Sequence, residues 1–147
     1  MPRRRPHLEA HAMDARRAPL RIVAAVSHDV RQRIRAILPG SELRFVETDA
    51  ELMEVLQQAR CDILILGMQF DESSAVASLE RVRSRGKAFP VVCVRGRPSL
   101  LGQRSMHALR TALHELGAQD FIDLMDYPDN EAGNARVRAL LERVHLL

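Results

Sequence analysis

Three groups of side chains in this 147-residue chain have types that could do chemistry. Ser27, His28 and Asp29 are contiguous, and Asp71 lies in the stretch "FDES". An imidazole with two carboxylates is a donor set for a divalent ion or for proton transfer. The same residues also have a plainer use, because Asp29, and Asp71 with Ser73, are side chains that cap helix starts. His107 and His114 stand seven residues apart, whereas paired histidine ligands on a helix favour a spacing of four. With Met106 they read as a solvated or interface edge. Cys61 and Cys93 belong to neither a CxxC nor a Cys/His cluster, so no zinc site or disulfide framework is indicated. They read as small core residues, with a redox pair as the alternative.

The elements that must position these residues follow from hydrophobic period. "RIVAAV", residues 21–26, is a first strand, and "SHDVRQRIRAIL" is a helix capped by Ser27 or Asp29 with Val30, Ile34 and Leu38 inward. "ELRFVE" alternates as a second strand. "TDAELMEVLQQAR" has a capping box, Thr48 with Glu51, and an apolar stripe of Leu52, Val55, Leu56 and Ala59. "DILIL", residues 62–66, is apolar without alternation, as a central strand covered on both faces should be. "SSAVASLERVRSRG" presents Val76, Leu79 and Val82 on one side, and "FPVVCVRG" is a fourth strand. Residues 99–116 carry Met106, Leu109, Leu113 and Leu116 at helical spacing, with Gly117 placed as a left-handed cap. "DFID" is a fifth strand. Residues 131–147 form a last helix, started by Asp129 or Asn130, with Val137, Leu140, Leu141 and Val144 inward.

Strict alternation of five strands and five helices predicts an α/β, three-layer, doubly wound parallel sheet of flavodoxin-like order 2-1-3-4-5. In such a sheet the crevice lies outside the carboxyl ends of the strands. Gly67 occupies that place after the third strand, where chemistry is usually delivered.

Composition bounds the rest. With 46% hydrophobic and 28% charged residues the chain suits one core-forming domain. No apolar run is long enough for a bilayer span, and the N-terminus lacks the apolar middle of a secretory signal, so a cytoplasmic protein is expected. Residues 1–21 hold six arginines against two acids, a balance of +4. The net charge of +3 therefore leaves −1 for the remainder. Residues 1–19 read as a disordered basic arm and 20–147 as the domain, so specific nucleic-acid binding is not expected.

Local wording adds a resemblance over about residues 20–147. "RIVAAVSHDVR", "CDILILGMQF", "FPVVCVRG" and above all "LGAQDFID", with Gly117, Ala118, Asp120 and Phe121 in register, resemble the receiver domain of bacterial response regulators. That family transfers a phosphoryl group to an aspartate after the third strand, with an acidic pair on Mg²⁺ and a hydroxyl and a lysine contacting the product. Carried over, the acceptor falls on Gly67, the acidic pair on Ala25 and Val26, the hydroxyl on Arg95 and the lysine on Leu124. No member of the set is present, so the resemblance implies the fold and denies the activity.

The expectation is a non-phosphorylatable pseudo-receiver, not an enzyme and without a cofactor or metal, that acts by contact with a protein partner or a second copy. The face that the resemblance implies, the fourth helix, fifth strand and fifth helix, would include His107, Arg110, Asp123, Arg136 and Arg143. The alternative is a small-molecule or anion sensor using the vacated crevice near Gly67 and Arg95, with Ser27, His28, Asp29 and Asp71 as its polar residues. In that crevice Arg95 would bind an anion, or pair with Asp29 or Asp71 in place of the metal.

Overall fold

The apolar runs form the strands of one parallel sheet in the computed structural model, which describes residues 19–70, 73–85, 89–96 and 103–146. Residues 1–18 of the basic arm, Asp71 and the approach to the fourth helix, including Ser99, lie outside the described residues. In chain order the elements are β1 (Arg21–Ala25), α1 (His28–Ile37), β2 (Glu42–Phe45), α2 (Asp49–Gln58), β3 (Ile63–Gly67), β4 (Gln69–Phe70), β5 (Ser73–Ser74), α3 (Ala75–Ser84), β6 (Val91–Arg95), α4 (Gln103–Glu115), β7 (Asp120–Asp123) and α5 (Glu131–Leu146). A single 3₁₀ turn, Leu124–Asp126, separates β7 from α5.

The sheet order is β2-β1-β3-β6-β7, which is 2-1-3-4-5 when its own strands are counted. Every pairing in it is parallel. A two-residue antiparallel ribbon, β4 with β5, follows Gly67 and was not anticipated. β3 is buried along its whole length, as its unbroken apolar run requires.

Alternation along the strands sends side chains to two separate cores. On one face Ile22, Ala24, Val26, Ile63, Ile65, Val92, Val94, Ile122 and Leu124 pack with Ile34 and Ile37 of α1 and Val137, Leu141 and Val144 of α5. On the other, Val23, Ala25, Leu64, Leu66, Val91 and Cys93 pack with Leu52, Val55 and Leu56 of α2, Leu79 and Val82 of α3 and Leu113 of α4. Truncating one of these buried leucines to alanine typically costs about 2–5 kcal/mol.

The helix ends follow their capping chemistry with two changes. Thr48 accepts the Glu51 N–H at 3.1 Å, and Gly117 closes α4 at φ +99°. Ser27 is the N-cap of α1 through its backbone alone, without a side-chain bond. The cap of α3 is Ser74, which accepts the Ala77 N–H at 3.2 Å, one residue beyond the expected Asp71 and Ser73. Ala59, expected inward, is exposed because the chain turns extended there after the last turn of α2. Ser78 faces inward on α3 and is fully buried. Its hydroxyl donates to Asp49 Oδ1 at 3.2 Å, and Arg81 pairs with the same carboxylate, tying α3 to the start of α2.

Candidate functional site at the carboxyl end of the sheet

β1 and β3 run side by side, Ala25 opposite Leu66, so their ends bring Ala25, Val26 and Gly67 together. Ala25 and Val26 are buried and neither carries an oxygen donor on its side chain. A Cβ built on Gly67 would meet the Ala25 carbonyl oxygen and Val26 Cα at 3.4 Å and Val26 Cγ1 at 3.5 Å, all ordinary contacts. Gly67 is therefore not demanded by backbone strain or crowding. The isopropyl group beside it, that of Val26, offers no oxygen to a metal ion.

Leu124 is also buried, at 1% exposure, in the core that α1 and α5 share. A further apolar side chain closes in from α1. A Cβ on Gly96, just after β6, would come within 2.6 Å of Val30 Cγ2, so a side chain there would clash with α1 in its present place. Val30 itself is buried. Ala25, Val26, Val30 and Leu124 are thus all aliphatic, and as a donor set they do not fit the divalent ion that the receiver resemblance implies.

Arg95 follows Val94 and by alternation leaves β6 on the opposite face from it. Its Nε lies 3.4 Å from Asp123 Oδ1, the residue opposite it in register on β7. The two side chains are only 18% and 11% exposed. Asp123 also accepts the Met125 N–H at 3.0 Å and so caps the 3₁₀ turn. Asp123 was expected on the outer contact face. The structure turns it toward Arg95, because an acid opposite an arginine at paired strand ends gains both an ion pair and a cap.

The other expected crevice residues are dispersed. His28 and Asp29 are exposed in the first turn of α1, Ser27 is half-buried, and Asp71 lies outside the described residues. Among the described residues no three His, Cys, Asp or Glu side chains converge as a metal-binding group.

The outer face at the β7 edge has a different character. His107 and Arg110 on α4 and Arg136 and Arg143 on α5 are all exposed. The Arg110 guanidinium lies 4.6 Å from the centre of the Phe121 ring, and that of Arg136 lies 5.1 Å from the Tyr127 ring. Between α4 and β7 a shallow hollow has Leu113, Ala118 and Phe121 in its floor and Arg110, His114 and Asp120 among its polar lining.

Sequence reasoning missed the residues that shape the β7–α5 connection: Arg33, Gly133, Asn134 and Arg138. One signal was available. A glycine in the first turn of a helix otherwise built from good formers, "NEAGNARVRALL", points to close backbone approach.

No protein-family profile matches the sequence, and no curated protein matches it. Solved structures do. The chemotaxis protein CheY4 of Vibrio cholerae superposes with a TM-score of 0.66 at 20% identity, over 86% of this chain and 99% of that one. The phosphorylated cyanobacterial phytochrome response regulator RcpA gives 0.65 at 18% identity, over 88% and 95%. The orphan response regulator HP1043 of H. pylori gives 0.60 at 17% identity, over 84% and 97%. The fold is that of the receiver domains of response regulators. None of the described helices is long and apolar enough to cross a membrane.

Proposed function

We propose that this chain is a signalling module of two-component type that works by protein contact and takes no phosphoryl group at the usual position. The observation that carries the reading is the occupancy of the five family positions by Ala25, Val26, Gly67, Arg95 and Leu124, three of them buried aliphatic side chains. Phosphoryl transfer to a carboxylate needs a nucleophile, a divalent ion on hard oxygens and a cation to read the product. Here the only charged member, Arg95, is beside Asp123 instead.

The contact surface in this reading is the face of α4, β7 and α5. Its exposed arginines and the hollow over Leu113 and Phe121 combine an apolar floor with a polar rim, the composition that protein interfaces use. The partner is another protein or a second copy of the chain.

Incubation with a small phosphodonor and Mg²⁺, followed by intact mass measurement, tests the negative half. The unmodified mass is expected; an acid-stable, base-labile adduct on an aspartate sinks the proposal. Sedimentation across a concentration series tests the contact half, and a dimer lost in Arg110→Glu is the expected result.

A further inference from the structure

The segment that joins β7 to α5, residues 124–130, is gripped by one side chain from another helix. Arg33 of α1 donates from Nη1 to the Leu124 carbonyl at 2.8 Å. Its Nη2 donates to the carbonyls of Tyr127 at 2.7 Å and Pro128 at 3.2 Å. Its Nε donates to Asn134 Oδ1 at 3.2 Å, with Asp129 Oδ1 3.8 Å away. The side chain is 14% exposed. A planar guanidinium with five N–H donors can meet so many acceptors at once, whereas an ammonium cannot.

The same segment is fixed from its other side. Asn134 is buried and donates from Nδ2 to Asp129 Oδ1 at 3.3 Å. Asn130 Oδ1 accepts the Gly133 N–H at 2.8 Å and caps α5. Gly133 has no room for a side chain, since a Cβ there would fall 1.9 Å from the Pro128 carbonyl oxygen. At the start of the segment Asp123 holds Met125 and faces Arg95.

We infer that Arg33 is the positioning residue of the contact face: it holds the β7–α5 connection, and through Tyr127 the exposed Arg136, in one arrangement without a phosphoryl group. The inference rests on the contact reading above. The line of contact is short, because Arg33 binds the Tyr127 carbonyl and the Tyr127 ring lies against the Arg136 guanidinium.

A plain stabilising role for an α1–α5 tie has its own control in Arg138. That residue donates from α5 to the Ile37 carbonyl at 2.5 Å and the Ala36 carbonyl at 3.4 Å, so its hydrogen bonds join the same two helices and go to α1 rather than to residues 124–130.

The chain has one tyrosine and no tryptophan, so its intrinsic emission reports on Tyr127 alone. Acrylamide quenching and amide hydrogen exchange should be measured on the full chain, on Arg33→Lys and on Arg138→Ala. Arg33→Lys is expected to raise the quenching constant two- to threefold and to speed exchange at residues 125–130 at least tenfold, while β1 and β3 stay protected. Arg138→Ala is expected to do neither. Unchanged signals in Arg33→Lys, or equal changes in both variants, overturn the inference. Should Arg33→Lys fail to fold, the wild-type chain still decides: coil-like exchange at Met125 and Tyr127 would show that nothing is held. A wild-type chain that stays monomeric and finds no partner counts against the contact reading instead, and leaves the quenching and exchange results to judge Arg33.

Discussion

The ends of β3 and β7 lie at the same edge of one sheet and were built by opposite chemistry. At the end of β3, Gly67 meets Val26, and Ala25 on the adjoining strand is buried among aliphatic groups. Beyond β7, the chain passes through a web of polar bonds from Asp123, Arg33, Asn130 and Asn134. A region that must respond to a ligand keeps polar groups solvated or poised; one that must hold a shape has its polar groups already satisfied by the protein. The second kind is what this chain shows at the connection to its outer face. Ala25 and Val26, the residues that Gly67 meets, offer no side chain of the first kind.

The sharpest way to break that contrast is to place a lysine at position 124, where the receiver resemblance would put one. Leu124→Lys would bury an ammonium at a position 1% exposed, within the same apolar core as Val94, Ile122 and Leu141. Unpaired buried charge costs several kcal/mol or is relieved by loss of the proton. We expect a loss of about 4 kcal/mol in urea unfolding at neutral pH. A loss below about 1 kcal/mol would mean that position 124 opens on water, and the apolar description of the crevice would fall with it. Gly133→Ala is the matching test on the polar side. Alanine in a helix interior normally gains about 1 kcal/mol over glycine. With the Pro128 carbonyl oxygen only 1.9 Å from the new Cβ, the sign should reverse to a loss of about 3 kcal/mol.

The fold was legible because its signals are periodic. "DILIL" could only be a central strand, and the stripes of α1, α2 and α5 fell inward as the spacing predicts, apart from Ala59 at the end of α2. The lack of a carboxylate at Ala25, Val26 and Gly67 was legible for a simpler reason: it is a fact of residue type. What the sequence concealed was pairing across distance. Arg33 and Asn134 are 101 positions apart, and nothing in "VRQRIRAIL" distinguishes Arg33 from Arg31 or Arg35. Arg31 and Arg35 lie near the Phe45 ring, at 5.4 and 4.8 Å, so three arginines on one helix have two unrelated duties. Asp123 was misplaced by the same blindness, since its direction is set by its strand partner, Arg95.

Cys93 sharpens the comparison at the strand next to β3. It lies two residues before Arg95, on the same side of β6, and so reports how dry the core is beneath the polar pair. Burial pushes its thiol up from 9.0 to about 12, against a smaller lowering by the Arg83 cation. The neutral thiol is thus favoured in the fold. Below pH 9 both folded and unfolded chains hold the proton, and this residue adds no pH dependence. Above it the unfolded chain ionises first, so stability is lost as pH rises from 9 toward 12, by up to about 1.4 kcal/mol per pH unit. The slope difference between wild type and Cys93→Val, from urea titrations at pH 8.5 to 10.5 (roughly the onset of the window), isolates the effect. Equal slopes would mean that water reaches the sulfur. The half-buried Cys61 should react with a thiol reagent well before Cys93 does.

The smallest effect separates the two glycines most clearly. Gly67 has an ordinary φ and room for a methyl group at 3.4 Å or more, whereas Gly133 has none. Relieving glycine's backbone entropy in a strand is worth about 0.5 kcal/mol, and methyl contact with Val26 opposes nothing. Gly67→Ala should therefore be neutral to about 0.5 kcal/mol more stable in urea unfolding, the reverse of Gly133→Ala. Were Gly67→Ala instead to cost 2 kcal/mol or more (roughly the cost of an overpacked core), the glycine would be serving a close approach that these contacts do not contain. With a neutral result, neither the backbone nor the packing at the end of β3 asks for glycine at position 67.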